Sequence, residues 1–144
     1  MQVTYLTLDE VNRFTMQSWA KKSGMQVHCP IPSEILVPPE ETDAIVLDLD
    51  YLPAEVRATW LSRVEAGATT GRVMVHGHNI TDGEVKRLRR HGVHICHGQL
   101  RRDAFNSWLC DLGRMETSTL PRTRAAAHGA RSPIKSATTG LKAA

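Results

Sequence analysis

Cysteine is scarce in this 144-residue sequence. Cys29, Cys96 and Cys110 are widely spaced and odd in number. That excludes a disulfide framework and suits reduced thiols, so a cytoplasmic setting is expected. No apolar run approaches the ~20 residues that a membrane-crossing helix needs, so no membrane partner is expected. The opening segment MQVTYLTLDE lacks the basic and apolar regions of a secretory signal. The dinucleotide fingerprint GxGxxG and the phosphate-loop pattern are absent as well. GATTGR, residues 67–72, matches neither.

The chain does carry enough apolar residues for a core. They make up 41% of it, against 23% charged residues, as in a globular chain. The formal charge of +3 is unevenly spread. Residues 1–113 hold 12 Lys/Arg against 14 Asp/Glu, and residues 114–144 hold six against one. The second segment is rich in Ala, Ser, Thr, Gly and Pro. It has too little apolar surface to offset its ordering entropy and is expected to be a disordered basic tail. Six scattered cations could give it a modest attraction for nucleic acid or an acidic partner.

Residues 1–113 alternate strand and helix signals. QVTYL (2–6) is β-prone. Thr7 and Glu10 predict a capping box, with Leu6 and Val11 as its hydrophobic staple. Val11, Phe14, Ser18 and Trp19 are the expected buried face of the helix, and Gly24 its left-handed end. MQVHC (25–29) reads as a short strand broken by Pro30 and Pro32, and SEIL as at most one helical turn. AIVLDLD (44–50) is the strongest strand signal, apolar on both faces. Pro53 opens a helix with Val56, Trp60 and Val64 as its stripe, and Gly67 ends it. RVMVHGH (72–78) reads as another interior strand. Thr81 and Glu84 predict a second capping box. Gly92 ends that helix, VHIC (93–96) is the last strand, and a final helix carries Leu100, Ala104, Trp108 and Leu112 on one face.

This alternation predicts an α/β three-layer sandwich, a five-stranded parallel sheet with helices on both faces. Five strands in ~110 residues fit the flavodoxin-like order 2-1-3-4-5. Ligands of such sheets bind beyond the C-terminal strand ends. There stand Thr7 and Leu8, then Asp48 and Asp50, then His76 and His78, then His94, Cys96 and His97.

In element order, spacing and the segment IVLDLDYLP, residues 2–112 resemble the CheY-like receiver domains of two-component response regulators. The resemblance implies a phosphoacceptor at Asp48. It also implies a Mg²⁺ ion held by an acidic pair after strand 1, a hydroxyl after strand 4 and a lysine after strand 5. This chain has Thr7 and Leu8, His76, and His97 in those places. Phosphoryl transfer to a carboxylate needs its charge neutralised, normally by Mg²⁺ and Lys. The expectation is therefore a degenerate, non-catalytic receiver-like domain that works without phosphorylation or cofactor, through a protein partner or a second copy. The receiver's usual partner surface maps here to Lys86, Arg87, Arg89, Arg90, Arg101 and Arg102.

A rival reading starts from the strand-end histidines. Alternation would turn His76 and His78 to one face, and likewise His94 with Cys96. With Asp48 or Asp50 they would form a nitrogen, sulfur and oxygen set for zinc, in a small metal-binding protein or hydrolase. HGVHICHG shows no familiar ligand spacing. A third reading is a scaffolding domain without ligand.

Overall fold

The computed structural model of the chain describes residues 1–69 and 72–113. Its elements are β1 (Gln2–Leu6), α1 (Glu10–Ser23), β2 (Gln26–His28), β3 (Ala44–Asp48), α2 (Ala54–Glu65), β4 (Arg72–Gly77), α3 (Asp82–Arg90) and β5 (His94–His97). Residues 102–113 are helical. The strands pair in parallel in the order β2-β1-β3-β4-β5, as the alternation predicts. Met1–Phe105 form one compact unit, which holds the whole sheet, and a second unit begins at Asn106. The segment 114–144, expected to be a disordered tail, lies outside the described residues.

Register sorts the side chains into two faces. Asp48 pairs with His76, and His76 with Cys96, so the three share a face. Tyr5 pairs with Val46, two residues before Asp48, and joins that face. Leu6, Ile45, Leu47, Val73 and Val75 point the other way, into a core with Val56, Trp60 and Val64 of α2 and Leu88 of α3. All five residues of β3 are buried, as a central strand covered on both sides requires.

The β2–β3 crossover holds one 3-10 turn, Pro32–Glu34, and no longer helix. It is tied down by Ile35, whose buried carbonyl accepts from Trp60 Nε1 at 2.8 Å.

Several local expectations hold. Thr81 and Glu84 form the reciprocal capping box of α3. Gly24 caps α1 at φ 70°. Val56, Trp60 and Val64 are the buried stripe of α2.

The start of α1 differs. Asp9, not Thr7, is its N-cap, and its carboxylate accepts from Asn12 N. The buried residues of α1 are Met16 and Ala20, whereas Val11 and Phe14 are 69% and 72% exposed. Thr7 Oγ1 donates to the carboxylate of Asp48 and accepts from Asp9 N, two residues on.

Candidate functional site: the strand ends around Asp48

Asp48 is the last residue of β3 and is 1% exposed. A buried carboxylate needs donors to replace water. Two reach its Oδ2: Thr7 Oγ1 at 2.8 Å and Asn12 Nδ2 at 2.8 Å. Thr7 Oγ1 also accepts from Asp9 N at 3.0 Å, which fixes its hydroxyl proton toward Asp48. The other oxygen, Oδ1, is buried and meets no hydrogen-bond donor.

Opposite Oδ1, at 3.9 Å, stands Nδ1 of His76. His76 is itself 2% exposed, and burial holds its pKa below the ordinary histidine value, against the pull of Asp48. Its Nε2 lies within hydrogen-bond distance of the Tyr5 hydroxyl, at 2.9 Å. Burial first, then the nearby Asp48 charge, pushes the tyrosine pKa far up, so its proton stays on oxygen. Tyr5, His76, Asp48, Thr7 and Asn12 thus form a packed polar chain across β1, β3, β4 and α1.

Asp50 belongs to a second, more open arrangement. It lies in a 3-10 turn, Leu49–Tyr51, that continues β3. Its two oxygens accept from His78 N at 2.8 and 2.9 Å, and its Oδ2 lies 2.7 Å from His78 Nδ1. Hydrogen bonds from the His78 ring, then from the His78 and Asn79 amides, hold the Asp50 pKa below its usual value, outweighing its partial burial. The close approach needs a glycine. A Cβ on Gly77 would sit 2.9 Å from Asp50 Oδ1 and 3.3 Å from Leu49 Cβ. Between the two arrangements lies a cavity of about 310 Å³, lined by Asp9, Asn12, Asp48, Asp50, His76 and His78 among others.

No protein-family model matches the chain, and no curated protein matches it in sequence. Solved structures do match its backbone. A two-component response regulator from Clostridium difficile superposes with a TM-score of 0.63 at 11% identity, covering 79% of this chain and 96% of that one. The non-phosphorylated HemR receiver domain from Leptospira biflexa gives 0.63 at 16% identity, covering 77% and 92%. A response regulator receiver protein from Pseudoalteromonas atlantica gives 0.62 at 7% identity, covering 81% and 99%.

This is the receiver fold.

Within the receiver fold, Asp48 occupies the strand end that the resemblance assigns to the phosphoacceptor. Mg²⁺ takes hard oxygen ligands with free lone pairs, and Thr7 and Asn12 turn none toward Asp48. Thr7 and Asn12 aim hydrogens at Asp48 instead, and His76 replaces the hydroxyl at the end of β4. Asp9, the nearest carboxylate in sequence to the expected acidic pair, is committed to capping α1.

The zinc set predicted from Asp48, Asp50, His76, His78, His94 and Cys96 does not assemble. Among the described residues, no three or more His, Cys, Asp or Glu could hold a metal ion together. β4 ends at Gly77, so alternation stops before His78. His76 turns inward to Asp48, while His78, with 68% of its side chain exposed, turns to Asp50. Cys96 is half-buried in register with His76, and His94 is exposed in register with Met74.

Lys86, Arg87, Arg89, Arg90, Arg101 and Arg102 are all exposed. They are not equivalent, because Arg87 Nε is bonded to Glu65 Oε1 at 2.8 Å. Among the described residues, no helix is long and apolar enough to cross a membrane.

Two participants, Tyr5 and Asn12, were not singled out from sequence. Tyr5 lies within the β-prone run QVTYL, and its parity places it on the Asp48 face. Asn12 lies in the first turn of α1, where a side chain can reach back over the strand ends.

Proposed function

We propose that this chain is a regulatory receiver-fold domain of bacterial-type signalling. It works through protein contacts, without phosphorylation and without catalysis of its own. One observation carries the reading: Asp48 is buried and hydrogen-bonded by Thr7 and Asn12, inside a neutral Tyr5–His76 arrangement. A phosphoryl group on Asp48 would bring about two negative charges into a buried site. No lysine or arginine lines the adjoining cavity to neutralise them. The carboxylate here acts as a structural acceptor that joins β3 to α1.

The contact surface is the exposed basic set on α3 and after β5, chiefly Lys86, Arg89, Arg90, Arg101 and Arg102. Arg87 is held by Glu65 and contributes less. The partner is a protein with an acidic face or a second copy of the chain.

The test is beryllofluoride with Mg²⁺, or acetyl phosphate with Mg²⁺, followed by amide NMR and intact mass. No change in the Asp48 neighbourhood and no added mass are expected. A response that disappears in Asp48→Asn would overturn the reading.

A further inference from the structure

A parallel sheet of this kind has both faces covered, ordinarily by helices. At the β2 edge the cover is thinner. Thr4 pairs with His28 on one side and with Ile45 on the other, so Gln2, Thr4 and His28 share the α2 face with Ile45. Beside them runs the β2–β3 crossover, which holds one 3-10 turn and no longer helix. A groove of about 340 Å³ is left at this edge. Pro30, Val37, Pro38 and Pro39 give it an apolar lining, and Val37 is 59% exposed. Glu34, Glu40 and Glu41 stand among them.

Charge divides between the two edges of the sheet. Residues 26–43, β2 and the crossover, hold four Asp/Glu and no Lys/Arg. Residues 86–102, around β5, hold six Lys/Arg and no Asp/Glu. Within α3, Lys86, Arg89 and Arg90 stand at i, i+3 and i+4 and form one exposed ridge. Among the described residues, neither this ridge nor Glu34, Glu40 and Glu41 has an ion-pair partner, unlike Arg87 with Glu65. β2 and β5 are the opposite edges of the sheet, four strand spacings of about 4.8 Å apart. One chain therefore cannot join its own groove to its own ridge, whereas two chains can.

We propose that the groove at the β2 edge docks the α3 ridge of a second copy of the chain. The methylene stems of Lys86, Arg89 and Arg90 lie on Val37 and the prolines, and their charged heads reach Glu34, Glu40 and Glu41. The inference rests on the reading that the basic set is the contact surface, and it commits that surface to one partner. The contact is head-to-tail. Each added copy keeps a free groove or a free ridge, so association continues past the dimer into a ring or an open filament.

Sedimentation velocity of the full chain should show mass rising with concentration at low salt and a monomer at high salt, because exposed charges are screened. Glu40→Lys with Glu41→Lys, and separately Arg89→Ser with Arg90→Ser, should each weaken association about tenfold, the factor for two exposed ion pairs. Val37→Ser changes no charge and should weaken it about fourfold, the equivalent of about one methylene left unburied. All five positions are exposed, and a thermal melt checks that the variants remain folded.

The two double variants should complement each other. The glutamate variant keeps its ridge and the arginine variant keeps its groove, so their mixture should form a dimer that grows no further. With ¹⁵N on the arginine variant, amide shifts should appear at His28, Glu34 and Val37 and not on α3. With ¹⁵N on the glutamate variant, they should appear at residues 86–91 and not in the crossover. Shifts on both surfaces of each labelled chain, a mixture that stays monomeric, or unaltered affinity in Val37→Ser would overturn the docking assignment. Association unchanged in Arg89→Ser with Arg90→Ser would overturn it too, and would remove the basic set as the contact surface. A parent chain that stays monomeric at every concentration would overturn the second copy as partner and leave the basic surface to a different acidic protein.

Discussion

The Tyr5 hydroxyl and His76 Nε2 meet at 2.9 Å in the interior, one from β1 and the other from β4, with β3 between them. The contact spans an intervening strand and closes a polar chain around Asp48. Removing the hydroxyl leaves a buried ring nitrogen without this hydrogen-bond partner. Tyr5→Phe should therefore destabilise the domain by about 1–3 kcal/mol. Urea unfolding followed by tryptophan fluorescence measures this. A midpoint equal to the parent's would show that the contact is dispensable.

The same pair predicts a pH response. Burial holds His76 below the ordinary value of 6.5, so the folded chain resists its protonation more than the unfolded chain does. The associated stability is fully present above pH 6.5. It declines as pH falls through 6.5 toward the lower folded value, because the unfolded state binds the proton first. Urea midpoints from pH 8 down to pH 5 should fall, and more steeply than in His76→Gln. A flat profile, or an NMR titration of His76 at or above 6.5, would contradict the assignment.

Thr7 and Asn12 both donate to Asp48 Oδ2, but in different surroundings. Thr7 is 1% exposed, while Asn12 is half-buried and lines the cavity. Water can replace the Asn12 amide and cannot readily replace the Thr7 hydroxyl. Thr7→Val should cost about 2–3 kcal/mol, and Asn12→Ala clearly less. Denaturant unfolding of the two variants should preserve that order, and the reverse order would mean that Asn12 is the principal support.

Gly77 tests the second arrangement. It has no positive φ, so crowding alone demands glycine there. Gly77→Ala should displace the Asp50 carboxylate, move the His78 amide resonance and cost about 1–3 kcal/mol. Shortening the neighbour should restore part of the loss, so Gly77→Ala with Asp50→Ala should be less damaging than the sum of the two single changes. Strict additivity would show that Leu49, 3.3 Å from the added carbon, sets the cost instead.

Much of the fold was legible because it rests on local signals. Thr81 with Glu84, Gly24, and the Val56–Trp60–Val64 stripe each act within one element. The run AIVLD is buried whichever face it presents. The start of α1 was legible only in part. Thr7, with Glu10 three residues on, satisfied a local pattern, and the competing partner of Thr7 was a carboxylate 41 positions away. The cap stands at Asp9, and Val11 and Phe14 are exposed. The histidines failed for a related reason. Alternation paired His76 with His78, but the strand ended between them.

By itself the sequence determined the number and order of elements, the parallel sheet and the position of Asp48 at a strand end. Periodicity, caps and apolar runs are short-range, and connections without hairpins leave few arrangements. Only the tertiary structure decided what surrounds Asp48. Tyr5 comes from β1, Thr7 from the loop after it, Asn12 from α1 and His76 from β4, and their side chains meet through sheet register and the placement of α1. Hydrogen bonds of about 2.8 Å are set by atomic placement, and no short-range pattern in the chain encodes it.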